Sequence, residues 1–357
     1  MAAAPGESER SLIQAIGDYQ AGRLDAAEAA CTLLLRRDPR HPAVHQLLAA
    51  VFMQRGDVRA ARQHIETSLA ERPEHVASQM IAGNAARAEG DVAAAARHFE
   101  RAAALAPDAA EPAFLAASVL LDSGQPGAVA ALRRLLDRHP RHAAGWCELG
   151  LALQRFGRSE AALVAFDRVI AIAPTLGRAH FHRANVLHLL GRLEEAAAGF
   201  RRAQELEPKA KEVSYNLGLT LLQAGSREAA REAFERTLAI DPSHVDAWFN
   251  LGLVRQDLRD LAGAADAFRA ALECRPDYAE AAVNLGIVLQ QAGAMGEAMD
   301  AYRRAVKLQP DTFGRIAQAV TAASTGRLWL DLAKLRGLLT ALGSATRPVA
   351  LAIDTRF

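Results

Sequence analysis

Small and large apolar residues recur along this chain at fixed places. Ala162, Ala196, Ala230, Ala264 and Ala298 are each followed four residues later by a ring, at Phe166, Phe200, Phe234, Phe268 and Tyr302. Residues four apart share one face of a helix, so the pattern predicts a series of helices that each bury a small residue beside a large one. Gly150, Gly218, Gly252 and Gly286 keep the same phase in the helix before each of the corresponding pairs, where two helices must cross closely. Nine prolines, Pro39, Pro73, Pro107, Pro140, Pro174, Pro208, Pro242, Pro276 and Pro310, stand 34 residues apart, with a single step of 33 between Pro107 and Pro140. Gly22, Gly56, Gly90, Gly124, Gly157, Gly191, Gly225 and Gly293 form a second phased series, and Arg259 falls where one further glycine would stand. Proline suits helix boundaries and glycine supplies the positive φ of a helix C-cap. Each period therefore reads as two helices, with proline between periods and glycine between the helices of one period.

Composition supports helices over strands. The chain of 357 residues holds 80 alanines and only 5% aromatic residues, a poor stock for a β-sheet core and a good one for helices. Net charge is +1, so no overall field draws the chain to nucleic acid or to an anionic membrane. Lys209, Lys211, Lys307 and Lys334 are the only lysines among 42 basic residues, a bias that points to a GC-rich bacterial genome. Cys31, Cys147 and Cys274 share no metal-ligand spacing and fit a reducing compartment. With no signal-peptide pattern and no run of about 18 apolar residues, the expectation is a soluble cytoplasmic protein.

The segment Ala247–Asp277, AWFNLGLVRQDLRDLAGAADAFRAALECRPD, carries Trp248, Leu251, Gly252, Ala264, Phe268, Ala271 and Pro276. In these places it resembles the tetratricopeptide repeat family. The resemblance implies an all-α fold, a right-handed α-solenoid of tandem helix-turn-helix repeats whose first helices line a concave groove. It covers residues 8–312 as nine repeats: 8–41, 42–75, 76–109, 110–142, 143–176, 177–210, 211–244, 245–278 and 279–312. The early repeats depart from the pattern. Cys31 and Ile65 replace the large ring, and the fourth repeat is one residue short between Gly124 and Pro140, where Pro126 and Gly127 weaken its second helix. Residues 313–343 read as capping helices, with Leu328, Leu332, Leu335 and Leu339 on one stripe, Trp329 beside them and Asp331 as an N-cap. Residues 344–357 read as a loosely ordered tail.

No nucleotide-binding glycine loop, zinc-protease, nucleophile-elbow, CxxC or EF-hand motif is present. The chain is expected to be non-catalytic and to need no cofactor or metal. His180, His182 and His188 cluster in sequence, but on a helix the first two point about 200° apart and cannot close one chelate.

The asparagines are more informative. There are five, Asn84, Asn185, Asn216, Asn250 and Asn284, and all fall inside predicted first helices, whereas asparagine ordinarily gathers in caps and turns. Asn216, Asn250 and Asn284 are 34 apart, in YNLG, FNLG and VNLG. They resemble the asparagine ladder of O-linked N-acetylglucosamine transferase repeat domains, which implies amides holding the backbone of an extended peptide. The alternative is that asparagine serves helix-pair geometry alone. Tyr215, Phe249 and Val283 precede the three amides as an apolar strip that Phe181 extends, with His182 beside it. Glu212, Asp246 and Glu280, with Asp257, make this part of the groove acidic, or else they answer the helix dipole.

The expected partner is a protein or peptide segment, extended, partly apolar and basic; neither nucleic acid nor a membrane span is expected. A two-carboxylate clamp on acidic tails is not supported, because Asp246 and Asn250 stand where its cations belong. Two other uses remain. The chain could recruit substrates for a glycosyltransferase carried on another chain, the residues after Thr312 being too few for that domain, or it could self-assemble.

Overall fold

In the computed structural model, residues 6–125 and 127–321 are described, and they contain helices and turns with no strand. The Leu328–Leu339 stripe, Trp329, Asp331 and the tail lie outside the described residues. The chain divides into two compact bodies after Val186.

The first body holds α1 (Glu7–Gln20), α2 (Leu24–Arg37), α3 (Pro42–Arg55), α4 (Val58–Glu71), α5 (Val76–Ala88), α6 (Val92–Leu105), α7 (Ala110–Asp122), α8 (Ala128–Arg138), α9 (Ala143–Arg155) and α10 (Ser159–Ile172). Most of α11 (Gly177–Leu189) also belongs to it. The second body holds α12 (Leu193–Leu206), α13 (Lys211–Gln223), α14 (Arg227–Ile240), α15 (Val245–Asp257), α16 (Leu261–Cys274), α17 (Ala279–Gln291) and α18 (Met295–Leu308). A 3-10 turn, Pro310–Thr312, leads into α19 (Phe313–Thr321). Within each body successive helices pack as hairpins, and each hairpin packs on the next.

The phased glycines do what their spacing predicts. All eight take φ between 69° and 83°, and Arg259 takes φ 65° in their place. At each turn the chain reverses with a backbone bond back across the helix end, such as Asp57 N–H to the Phe52 carbonyl at 3.0 Å, the Schellman closure. The helix-crossing glycines meet rings on the partner helix. A Cβ on Gly252 would lie 2.6 Å from the Phe268 ring, and one on Gly218 equally close to Phe234. The small-beside-large rule thus acts across the hairpin as well as along the second helix. Cys31 and Ile65 are buried in the place of the ring, and burial pushes the Cys31 thiol up to about 11.

The repeat prolines stand in the turn between helices, three residues before the next helix begins. Their carbonyls have a use that the spacing alone does not show. The side chain six residues further on reaches back to them: His45 to Pro39 at 2.9 Å, Gln79 to Pro73 at 2.8 Å, Trp146 to Pro140 at 2.9 Å, His180 to Pro174 at 3.0 Å and Trp248 to Pro242 at 2.8 Å. Four first helices are capped by histidine. Nδ1 of His41, His75, His142 and His244 accepts from the N–H of Val44, Ser78, Gly145 and Ala247, satisfying one of the free donors at each helix start.

The shortened fourth repeat leaves a mark. Its second helix, α8, has 11 residues where α10, α14 and α16 have 14, and no side chain caps its start. A cleft of about 660 Å³ opens beside it, lined by Ala103, Ala104, Ala113, Ala131 and Leu135, with Arg134 at its edge.

Candidate functional site

The residues singled out by sequence fall on first helices in both bodies. In the first body, Phe181, His182 and Asn185 are half-buried on α11. The His182 ring stacks on the core ring of Phe166 at 5.6 Å and meets Phe181 edge-on at 5.4 Å. The neighbouring histidines have separate tasks. His180 bonds the Pro174 carbonyl and His188 Nδ1 pairs with Thr220 Oγ1 at 2.9 Å. No group of three metal-ligating side chains occurs among the described residues.

In the second body, α13, α15 and α17 carry the rest. Tyr215 and Asn216 on α13, and Phe249 and Asn250 on α15, are half-buried at equivalent places. The Asn250 amide has a determined orientation. Nδ2 donates to the Asp246 carbonyl at 2.7 Å and to Tyr215 Oη at 3.2 Å. A backbone carbonyl only accepts, so the nitrogen must face it, and Oδ1 is presented as an acceptor. Tyr215 Oη, having accepted from Asn250, keeps its own hydrogen to donate.

The third rung differs from the sequence expectation. Asn284 is only 8% exposed and Val283 is fully buried. α19 packs against α17, with Ile316 and Val320 in the same apolar cluster as Val283, and Gln290 Nε2 donates to the Ala319 carbonyl at 3.1 Å. The strip of Tyr215, Phe249 and Val283 therefore ends at Phe249.

Two rings that sequence reading missed complete the strip. Tyr215 lies 4.7 Å from His244 and Phe249 lies 5.0 Å from Tyr278, at interplanar angles of 34° and 37°. His244 and Tyr278 are themselves 34 residues apart, a spacing that could have revealed them. Burial, and then the Asp246 charge, raises the Tyr215 pKa; burial followed by Asp246 and Glu280 raises that of Tyr278.

The acidic row is less naked than its sequence suggests. Asp246 pairs with Arg275 at 3.8 Å, Asp257 with Arg227 at 2.9 Å and Glu280 with Arg315 at 3.6 Å. Each arginine reaches its carboxylate from about one repeat away. Glu212 is exposed and has no ion pair among the described residues.

A fold of tandem helical hairpins, with turn glycines and glycine–ring crossings at a 34-residue period, defines a helical repeat protein. Tetratricopeptide repeat models match residues 18–82, 114–176, 177–211, 215–279 and 251–312. The chain belongs to the tetratricopeptide repeat family.

Among solved structures it is similar to the C-terminal part of a repeat protein from Cytophaga hutchinsonii. That likeness has 16% identity and a TM-score of 0.60, over 67% of this chain and 99% of that one. It is also similar to YrrB, described as a tetratricopeptide protein with an unusual peptide-binding site, at 20% identity and TM-score 0.49 over 55% of this chain and 100% of that one. A third is MamA from Desulfovibrio magneticus RS-1, at 20% identity and TM-score 0.45 over 47% of this chain and 96% of that one. No curated protein matches the chain. Among the described residues no helix is long and apolar enough to cross a membrane.

Proposed function

We propose that this chain is a non-catalytic interaction scaffold that binds an extended polypeptide segment across α13 and α15. The observation that carries the reading is the Asn250–Tyr215 couple. It offers an acceptor at Oδ1 and a donor at Oη, the complement of a peptide N–H and C=O. The half-buried rings of Tyr215, Phe249, His244 and Tyr278 lie beside it and suit apolar side chains of the same segment. The likeness of YNLG and FNLG to the asparagine ladder of O-linked N-acetylglucosamine transferases supports the same use of Asn216 and Asn250. Within the second body Glu212, Asp246 and Glu280 form its acidic margin.

The test is capture of cellular partners on the full chain. Asn216→Ala with Asn250→Ala should remove the captured protein while shifting the melting temperature by less than about 2 °C, the scale of a few tenths of a kcal/mol. Unchanged capture by the double variant would refute the reading. A glycosyltransferase or its substrate among captured proteins would make the chain a recruiting module for sugar transfer. Capture of the chain itself would support self-assembly.

A further inference from the structure

Successive repeats of the second body treat one surface place differently. In the eighth repeat, Asp246 and the Phe249–Tyr278 ring pair hold a guanidinium supplied from within. The Arg275 carbon lies 4.9 Å from the Tyr278 centroid, and its nitrogen is 3.8 Å from Asp246. Cation–π attraction and a carboxylate act there on one cation. In the ninth repeat the carboxylate at this place, Glu280, also pairs with an arginine, Arg315, at 3.6 Å.

The seventh repeat has the same frame 34 residues earlier. Glu212 stands for Asp246, and Tyr215 and His244 repeat the ring pair with nearly the same separation and tilt. Asp241, however, stands where Arg275 would be. It accepts from Lys211 at 2.6 Å, so the Lys211 ammonium is bonded to a different carboxylate. Glu212 is left as the carboxylate of the row without an arginine.

We propose that Glu212, with the Tyr215–His244 ring pair, receives an arginine side chain of the bound segment, at the place that Arg275 fills in the following repeat. This rests on the peptide-binding reading of α13 and α15, and adds the chemistry of the partner. Arginine suits the place better than lysine, because a planar guanidinium can lie on a ring and fork onto a carboxylate together. It also predicts register. The arginine precedes the residues that meet Asn250, or follows them if the segment runs the other way.

A displayed library of random peptides of about ten residues, long enough to cross two repeats when extended, is selected on the full chain and on two variants. The wild type should enrich arginine at one position. Glu212→Gln should reduce that enrichment about tenfold, the scale of one charge-assisted contact, while peptides are still retained through Asn216 and Asn250. Arg275→Ser vacates the Asp246 place and should add a second enriched arginine position. Enriched peptides without arginine, or arginine enrichment unchanged in Glu212→Gln, would overturn the proposal and leave the peptide-binding face standing. If no peptide is enriched on the wild type, the face itself is refuted along with its arginine site.

Discussion

Arg259 shows how strictly the period governs single residues. It replaces the turn glycine of its repeat, yet the backbone still adopts φ 65°, because the hairpin closes only in that conformation. An L-residue with a Cβ in the left-handed region costs about 1–2 kcal/mol. Arg259→Gly relieves this but gains unfolded-state entropy, so the net stabilisation should be about 0.5–1 kcal/mol, read as a higher denaturant midpoint. The opposite case is Gly252, which has no room for even a methyl. Gly252→Ala sets a Cβ 2.6 Å from Phe268, a ring with no exposure. It should cost about 1–3 kcal/mol, and an unaltered midpoint would show that the crossing accommodates a methyl.

At the scale of elements, α8 is the weak member of the first body. Three residues shorter than its counterparts and bordered by an open cleft, it packs less extensively on its two neighbours than α6 does on its own, which favours local opening. Its amides should exchange with deuterium faster than those of α6 or α10, and equal protection would contradict this. The sequence exposes the cause directly, since Pro126, Gly127 and the 33-residue step all mark this helix. Helix ends and turns were legible in the same way, because proline and glycine act locally.

The candidate face was legible only in part. Asn216 and Asn250 lie half-buried, but Asn284 is only 8% exposed on α17, the helix that α19 packs against. The pairing of Asp246 with Arg275 and of Glu280 with Arg315 joins residues 29 and 35 positions apart. Charge counting along one helix does not show such partners.

At the scale of the whole molecule, the described residues include shifted titrating groups in both bodies. His64, His98 and His142, all in the first body, have pKa values below the ordinary 6.5. Burial is the chief cause in each, aided by His45, by Arg97 and Arg62, and by His139 respectively. Their neutral forms are favoured on folding, so the unfolded chain binds more protons. Their contribution is whole above pH 6.5 and is lost as pH falls toward the lowered folded values. Glu148, raised mainly by burial and then by Asp122, works in the opposite sense. In the second body the Asp241 carboxyl is held well below 3.8 by its bond to Lys211 and then by Ser243, so it stays paired at pH 5. Between pH 7 and 5 the melting of residues 6–186 should therefore move to lower temperature while that of 187–321 holds. Melting followed by amide exchange resolves the two, and a parallel shift of both would disprove the assignment.

The packing of α19 on α17 would also limit the length of segment that the proposed surface can read. Packed helices stand about 8–10 Å apart and an extended chain advances about 3.3 Å per residue, so each open repeat meets about three residues. On the proposed reading, and with Asn284 buried, α13 and α15 together would meet a window of about six. On that reading selectivity would come from a short motif, and many unrelated proteins that display it would compete for one copy of the chain.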